Sequence, residues 1–263
     1  MEPFGEYDKN RGMQSQKDTF EVRPIAYLNS VFDHKFGTPR QGMLAPHGEA
    51  WLQLDPLWRN KGMLEGLEGI SHVWLISLFH QNKNRRVPSK IHPPRLLGES
   101  VGVLASRSPH HPNSLGLTLA KVNRVEGDSL WISGIDLVDG TPILDIKPYL
   151  ADADRPTEFS GGWTDQLPET AVACVFSQEA LNQLDQLVVR RKIVNQQKFM
   201  ALVQEVLALD PRPLSYRQRT NERFAIVLGG MDVHARYNEN QFTVLSIQPF
   251  EANADEPQDP SEP

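Results

Sequence analysis

Residues 117–135 read LTLAKVNRVEGDSLWISGI. Positions 117–125 and 129–135 are two short runs rich in apolar and β-branched side chains, and Glu126-Gly127-Asp128 between them carries the residues of a tight turn. Two strands joined so closely make an antiparallel hairpin. The sequence around it repeats the strand pattern. Positions 22–28 are a short apolar-rich run, and 49–54 alternate, with Ala50, Leu52 and Leu54 on one face. Positions 71–80 (SHVWLISLFH) and 101–106 are further apolar runs of strand length, and short helical pieces are expected near 57–67. Many short strands punctuated by turn residues predict a closed or nearly closed β-barrel across 20–150.

Beyond the barrel the pattern changes. Positions 151–168 are polar and read as a linker, and 171–176 read as a strand. Ser177 is placed to cap a helix running to about Arg191, with Glu179 in its first turn. Phe199, Leu202, Val203, Val206 and Leu207 recur at the spacing of an amphipathic helix, which Asp210-Pro211-Arg212-Pro213 stops. Positions 224–228, 233–237 and 242–247 read as strands, the last two joined at Asn238-Glu239-Asn240. The fold class is therefore mainly β, with an N-terminal β-barrel over 20–162 and a smaller C-terminal α+β domain over 163–250. The tails 1–19 and 251–263 show no apolar period and are expected to be disordered.

Composition narrows the function classes. The chain has 263 residues, 27 Lys+Arg against 33 Asp+Glu, and a net charge of -6. Five of the acids stand in 251–263, so the acidity is concentrated in that tail. Positions 80–124 hold eight Lys or Arg against the single acid Glu99, and 190–223 hold eight more against Glu205, Asp210 and Glu222. A phosphate backbone responds to local patches, so RNA remains a possible partner. No apolar run is long enough to span a membrane, and 1–19 lack the apolar stretch of a signal peptide. The single cysteine, Cys174, stands in an apolar run and reads as a small buried hydrophobe, in keeping with a reducing cytoplasm.

The glycine-rich phosphate motifs, H-E-x-x-H and C-x-x-C are all missing, so a doubly wound nucleotide fold has no support. His80, His92, His110 and His111 with Asp136 and Asp139 do not fall into a metal-ligand spacing, and no metal is expected. Four polar segments between strands carry the candidate chemistry: Thr38-Pro39-Arg40-Gln41-Gly42, Phe79-His80-Gln81-Asn82, 107–117 (RSPHHPNSLGL) and 136–142 (DLVDGTP), the last running on into ILDIKPY. Arg can grip a carboxylate with two parallel bonds, and Asp can hold a ribose hydroxyl or balance a positive centre.

Taken together these segments resemble the TrmO family of S-adenosylmethionine-dependent tRNA methyltransferases. The matching pieces are Pro39-Arg40-Gln41, Gly66-Leu67-Glu68 with Ser71-His72-Val73-Trp74, Phe79-His80-Gln81, Pro93-Pro94-Arg95, Arg107-Ser108-Pro109 with Pro112-Asn113 and Gly116, and DLVDGTPILDIKPY at 136–149. The likeness continues through Asp210-Pro211-Arg212-Pro213 to Tyr216-Arg217. It implies a barrel that binds S-adenosyl-L-methionine, a homodimer, and a cytoplasmic enzyme. It also implies methylation of N6 of N6-threonylcarbamoyladenosine next to the tRNA anticodon, with the second domain helping to hold the tRNA.

Carried over by motif, the resemblance assigns Pro39, Arg40, Gln41, His80, Gln81, Arg107, Leu117, Ile135, Asp136, Leu137, Val138 and Asp139 to the cofactor site. It assigns Arg212, Tyr216 and Arg217 to the tRNA side. Asp139 and His80 are, by chemistry, the candidates to accept the departing N6 proton. The chain departs from the family pattern at His111, where Arg is usual, and at Ser114, where Pro is usual. Those departures keep two alternatives open: a non-catalytic barrel that binds S-adenosylmethionine or RNA, and a small-molecule methyltransferase on the same fold.

Overall fold

The computed structural model describes residues 20–82, 87–93, 96, 98–165, 172–217, 219 and 221–251. The tails at 1–19 and 252–263, and the bases Lys83, Arg85, Arg86 and Arg95, lie outside the described residues.

The first half contains β1 (Ala26–Ser30), β2 (Glu49–Leu54), β3 (His72–Leu78), β4 (Lys90–Ile91), β5 (Val101–Gly102), β6 (Leu115–Glu126), β7 (Ser129–Ser133) and β8 (Pro142–Pro148). Six of these close into an antiparallel barrel in the order β1-β2-β7-β6-β3-β8, while β4 and β5 pair separately. Alternation decides what fills it: Ala50, Leu52 and Leu54 of β2, Val73 and Leu75 of β3 and Leu130 and Ile132 of β7 are buried, and their outward neighbours, Ser133 apart, are not. The β6–β7 hairpin turns at Gly127 and Asp128, with Gly127 at φ 56 as a two-residue connection requires.

Four sequence expectations shift. The strand over 22–28 begins only at Ala26, because Pro24 has no N–H for the ladder. The run 101–106 contributes a two-residue strand followed by a tight turn at Val103–Ala105, with Leu104 and Ala105 exposed. Positions 57–66 form turns, since Gly62 and Gly66 sit at φ 65 and 88, and a single short 3-10 turn follows at Leu67–Gly69. Strand β8 was not anticipated: PILDIKP lacks clean alternation, yet it pairs with both β1 and β3 and closes the barrel.

In the second half β9 (Ala173–Phe176) joins the sheet β10-β11-β12-β9, made with β10 (Arg223–Leu228), β11 (Met231–Asn238) and β12 (Gln241–Pro249). Short α1 (Ala151–Asp154) lies in the stretch read as linker, and Trp163 pins that stretch to the barrel by donating to the Ala105 carbonyl at 2.9 Å. Helices α2 (Gln178–Val189) and α3 (Gln196–Ala208) begin at side-chain caps. Ser177 Oγ accepts from the Ala180 N–H at 3.1 Å, and Asn195 Oδ1 from the Lys198 N–H at 3.0 Å. Glu239 and Asn240, at φ 48 and 60, make the two-residue turn between β11 and β12. Cys174 is half-buried in β9, and burial pushes its thiol up to about 12, the behaviour of a packing residue.

The two halves share one apolar core and are stitched by polar contacts. The Gly229 N–H donates to the Val31 carbonyl at 2.7 Å and the Gly230 N–H to Asp33 Oδ2 at 3.0 Å. Lys198 of α3 pairs with Glu49 at 2.7 Å, and His47 pairs with Glu205 at 2.5 Å.

The chain after α3 turns at Asp210, held at φ 48, and leads into short α4 (Leu214–Arg217). Arg212 is only 7% exposed. Its guanidinium meets Asp210 through two bonds, of 2.8 and 3.0 Å, donates to the Arg219 carbonyl, and lies 3.7 Å from the Tyr237 ring centroid. Removing one partner of a buried, doubly bonded pair strands the other. Arg212→Ala is expected to lower the urea-unfolding free energy by about 3–5 kcal/mol. Arg212→Lys should recover little of that, because an ammonium cannot reproduce the planar fork. Full recovery by lysine would show that charge alone matters at this corner.

Candidate active site

The barrel topology decides where the predicted residues go. Strands β1, β3 and β7 end at the same rim at which β2, β6 and β8 begin. Three connections, 31–48, 79–114 and 134–141, therefore meet over one mouth. They carry all the predicted cofactor residues except Leu117, which stands near the start of β6. Segments far apart in sequence are thus gathered because an antiparallel barrel returns alternate connections to the same end.

Contact between the first and third connections needs two glycines. A Cβ on Gly42 would fall 2.0 Å from the Gly134 carbonyl oxygen, and Gly134 itself turns at φ 70. This close approach brings the Gly42 N–H to the Asp136 carboxylate. The Thr118 hydroxyl, on the inward face of β6, donates to the same carboxylate. Arg107, from the second connection, donates to Gln41 Oε1 at 2.7 Å and places its charge near Asp136. All three connections are thus tied to one another through Asp136, Gln41 and Arg107.

Burial pushes the Asp136 carboxyl above its ordinary range. Hydrogen bonds from Thr118, its own N–H and the Gly42 N–H, together with the Arg107 charge, pull it back, and burial prevails. Asp139 is placed differently. It is exposed, and its Oδ1 accepts the Ser30 N–H at 2.8 Å while its N–H donates to the Phe32 carbonyl at 2.8 Å. It therefore closes the third connection onto the end of β1. Ser30 Oγ adds a bond to the Leu137 carbonyl at 2.8 Å.

The other predicted residues divide by exposure. Arg40, His80, Gln81, Arg107 and Leu117 present surface at the mouth, and Gln41 and Val138 are half-buried. Pro39, Ile135 and Leu137 are buried and shape the loops from beneath. The second connection is held at its base by Phe79 N–H to the Ser114 carbonyl at 2.9 Å and Asn82 Nδ2 to the Pro109 carbonyl at 2.8 Å. His111 Nε2 lies 3.0 Å from the Ser106 carbonyl, which can only accept, so that nitrogen carries its proton and the ring braces the loop. Ser114 sits at φ 46, which a proline ring cannot adopt, so the loop has a shape that the proline usual here would not allow.

Arg212, Tyr216 and Arg217 are not brought to the mouth; they form the corner packed on the second sheet. Arg212 is enclosed there, as described. Arg217 donates to the Asp210 carbonyl at 3.1 Å, and Tyr216, 45% exposed, carries the Arg219 guanidinium 4.4 Å from its ring centroid. Thr118, Gly134, Ser30 and Arg219 stand in none of the sequence motifs yet contribute here. Thr118 had a readable signal: with Gly116 and Ala120 it makes an inward row of small residues in which only Thr118 is polar. Among the described residues no group of three or more His, Cys, Asp or Glu could hold a metal ion, and no helix is long and apolar enough to cross a membrane.

Residues 27–155 match the model of the tRNA-methyltransferase O N-terminal domain, and 169–250 match that of the TrmO C-terminal domain. The chain belongs to the TrmO family. It is 33% identical over 238 residues to the Escherichia coli K12 protein named tRNA (adenine(37)-N6)-methyltransferase, covering 88% of this chain and 99% of that one. A Pseudomonas aeruginosa protein, RcsF, provisionally named an S-adenosylmethionine-dependent methyltransferase, is 40% identical over 220 residues, covering 83% of this chain and 93% of that one. The crystal structure of TrmO from Pseudomonas aeruginosa superposes with a TM-score of 0.73 at 35% identity, covering 88% of this chain and 99% of that one.

In this TrmO-family chain the desolvation of half-buried Asp136 has a consequence for stability. Its folded carboxyl titrates above the unfolded value of 3.8, so its contribution is most favourable below that pH and is lost as pH rises through the folded value. Asp136→Asn removes this term. Urea unfolding from pH 3.5 to 7 should show the variant gaining stability relative to the native chain as pH rises, then levelling off. A constant difference across that interval would refute the enclosed-acid picture.

Proposed function

We propose that this chain transfers the methyl group of S-adenosyl-L-methionine to N6 of N6-threonylcarbamoyladenosine beside the tRNA anticodon, working in the cytoplasm as a homodimer. The observation that carries this is the meeting of the separated motifs at one barrel mouth, in a chain whose two halves both match TrmO domains. The donor set suits the cofactor. Arg107 offers a fork for a carboxylate, Asp136 and Asp139 offer acceptors for an ammonium or ribose hydroxyls, and exposed Leu117 offers an apolar wall to a flat purine.

When bound, S-adenosylmethionine supplies an electrophilic methyl carbon. The chain supplies position and surroundings. Gln41 and Arg107 hold the first and second connections together, and the Gly42–Gly134 approach keeps Asp136 aimed at the first. Much of the acceleration comes from holding the acceptor nitrogen close and aligned in a site that excludes water. His80 and Asp139 remain the candidates to accept the N6 proton. Asp139 already spends one oxygen on the Ser30 N–H, a structural duty His80 does not have.

Support for a second copy covering the mouth comes from Met43, Leu44, Leu104, Leu115 and Leu117, apolar side chains left exposed around it. On the tRNA side, Tyr216 and Arg217 are the accessible members of the corner that Arg212 braces. A cytoplasmic location agrees with a tRNA substrate.

The test supplies labelled S-adenosylmethionine with two tRNAs, one bearing N6-threonylcarbamoyladenosine and one unmodified, and digested nucleosides are read by mass spectrometry. Label on the modified tRNA alone is expected. Label on neither, with cofactor binding intact, would overturn the reading. In single-turnover assays the alanine variant of the proton acceptor should slow methyl transfer by about 10²–10⁴-fold; full rate in both His80→Ala and Asp139→Ala would remove the general base from the mechanism.

A further inference from the structure

The outer barrel wall just below the mouth carries a row of side chains that the cofactor site does not use. Cross-strand pairing aligns Asn29 of β1 with Trp51 of β2, Trp51 with Trp131 of β7, and Trp131 with Arg124 of β6. The two indoles lie 6.5 Å apart at 23°, and the Arg124 guanidinium sits 3.7 Å from the Trp131 ring centroid. A register shift in β6 between Val122 and Arg124 leaves both Asn123 and Arg124 exposed, the kind of redirection a bulge produces. These groups line a cavity of about 450 Å³ that also reaches Ser30, whose N–H binds Asp139. Glu49 at its edge pairs with Lys198 of the second domain, so the row lies where the mouth and both domains meet.

We infer that Trp51, Trp131 and Arg124 form a stacking platform for an unpaired nucleobase of the tRNA anticodon loop, next to the base delivered to the mouth. The chemistry favours a nucleobase. Flat indoles and a guanidinium plane receive bases of any identity, and the flanking amides of Asn29 and Asn123 match base edges. Trp51 is 41% exposed, so a large part of its indole stays open to a partner beside its contact with Trp131. The Arg124–Glu126 pair, 3.3 Å apart with both side chains largely in water, is easily exchanged for a phosphate oxygen. A second protein copy fits less well: two partly covered indoles fall well short of the roughly 800 Å² per partner of a stable interface. The assignment presupposes a tRNA substrate, as proposed above.

The test uses the full chain with substrate tRNA and a labelled anticodon stem-loop. Trp51→Ala should weaken stem-loop binding and raise KM for tRNA by roughly 5- to 100-fold, the size of one stacked base, with kcat falling far less. Trp51→Phe should restore most of the loss, and thermal melting and S-adenosylmethionine affinity serve as controls for folding. Unchanged KM and stem-loop affinity in Trp51→Ala would overturn the platform. So would a changed molecular mass of that variant in ultracentrifugation, which would make the row a self-association face. If the native chain binds the stem-loop through Trp51 yet methylates no tRNA, the platform stands and the proposed activity falls. If it methylates the modified tRNA yet binds no stem-loop, the platform falls and the proposed activity stands.

Discussion

A sheet of six short strands has two edges with unsatisfied backbone groups unless it closes, and here β8 closes it. Ala26 and Tyr27 pair with Ile143 and Pro142 on one side, and Val73 to Ser77 pair with 143–148 on the other. Closure removes the edges and encloses the apolar alternation of β2, β3 and β7. It also determines that the connections after β1, β3 and β7 share one rim. Loops separated by up to about a hundred residues become neighbours for no reason internal to themselves. Without β8 there is a curved sheet with three scattered loops; with it there is a mouth.

At that mouth the tolerance is set by atoms that are missing. Gly42 has no Cβ and Gly134 turns at φ 70, so the backbone of one connection comes within hydrogen-bonding reach of the acid on another. An enclosed carboxylate is unfavourable on its own. Thr118, the Gly42 N–H and Arg107 offset part of that cost. Asp139, three residues on, shows the opposite solution: exposed, and bound to a backbone N–H that fixes the end of β1. Two aspartates of one short motif thus do different work, one as an enclosed acceptor and one as a clasp.

The second domain is held by more than a linker. Backbone donors at Gly229 and Gly230 reach Val31 and Asp33, and α3 reaches the start of β2 through Lys198 and Glu205. These contacts land on the first connection and at the start of β2, so the second domain supports the same loop that carries Pro39, Arg40 and Gln41. An RNA that touched both domains would cross this junction, where the Trp51–Trp131 row also lies.

Local physics made much of this legible from sequence. The β6–β7 hairpin, the alternation of β2, the Ser177 cap, the amphipathic stripe of α3 and the turn at Glu239-Asn240 each depend on neighbours a few residues apart. The cofactor motifs were legible as a set through their order along the chain. Strand β8 was not, because PILDIKP has no alternation and acquires its strand conformation from partners at both edges. The helical expectation near 57–67 shrank to one short turn at Leu67–Gly69 because two glycines at positive φ interrupt it. The role of Arg212 was hidden as well: an arginine between two prolines looks like a surface charge until Asp210, Tyr237 and Phe242 enclose it. By itself the sequence determined most of the elements, the Ser177 cap, the hairpin turns and the family pattern. Only the tertiary structure decided which loops share a mouth, which aspartate is enclosed, and which arginine and which tryptophan face solvent, because burial and charge neighbourhood arise from contacts between distant segments.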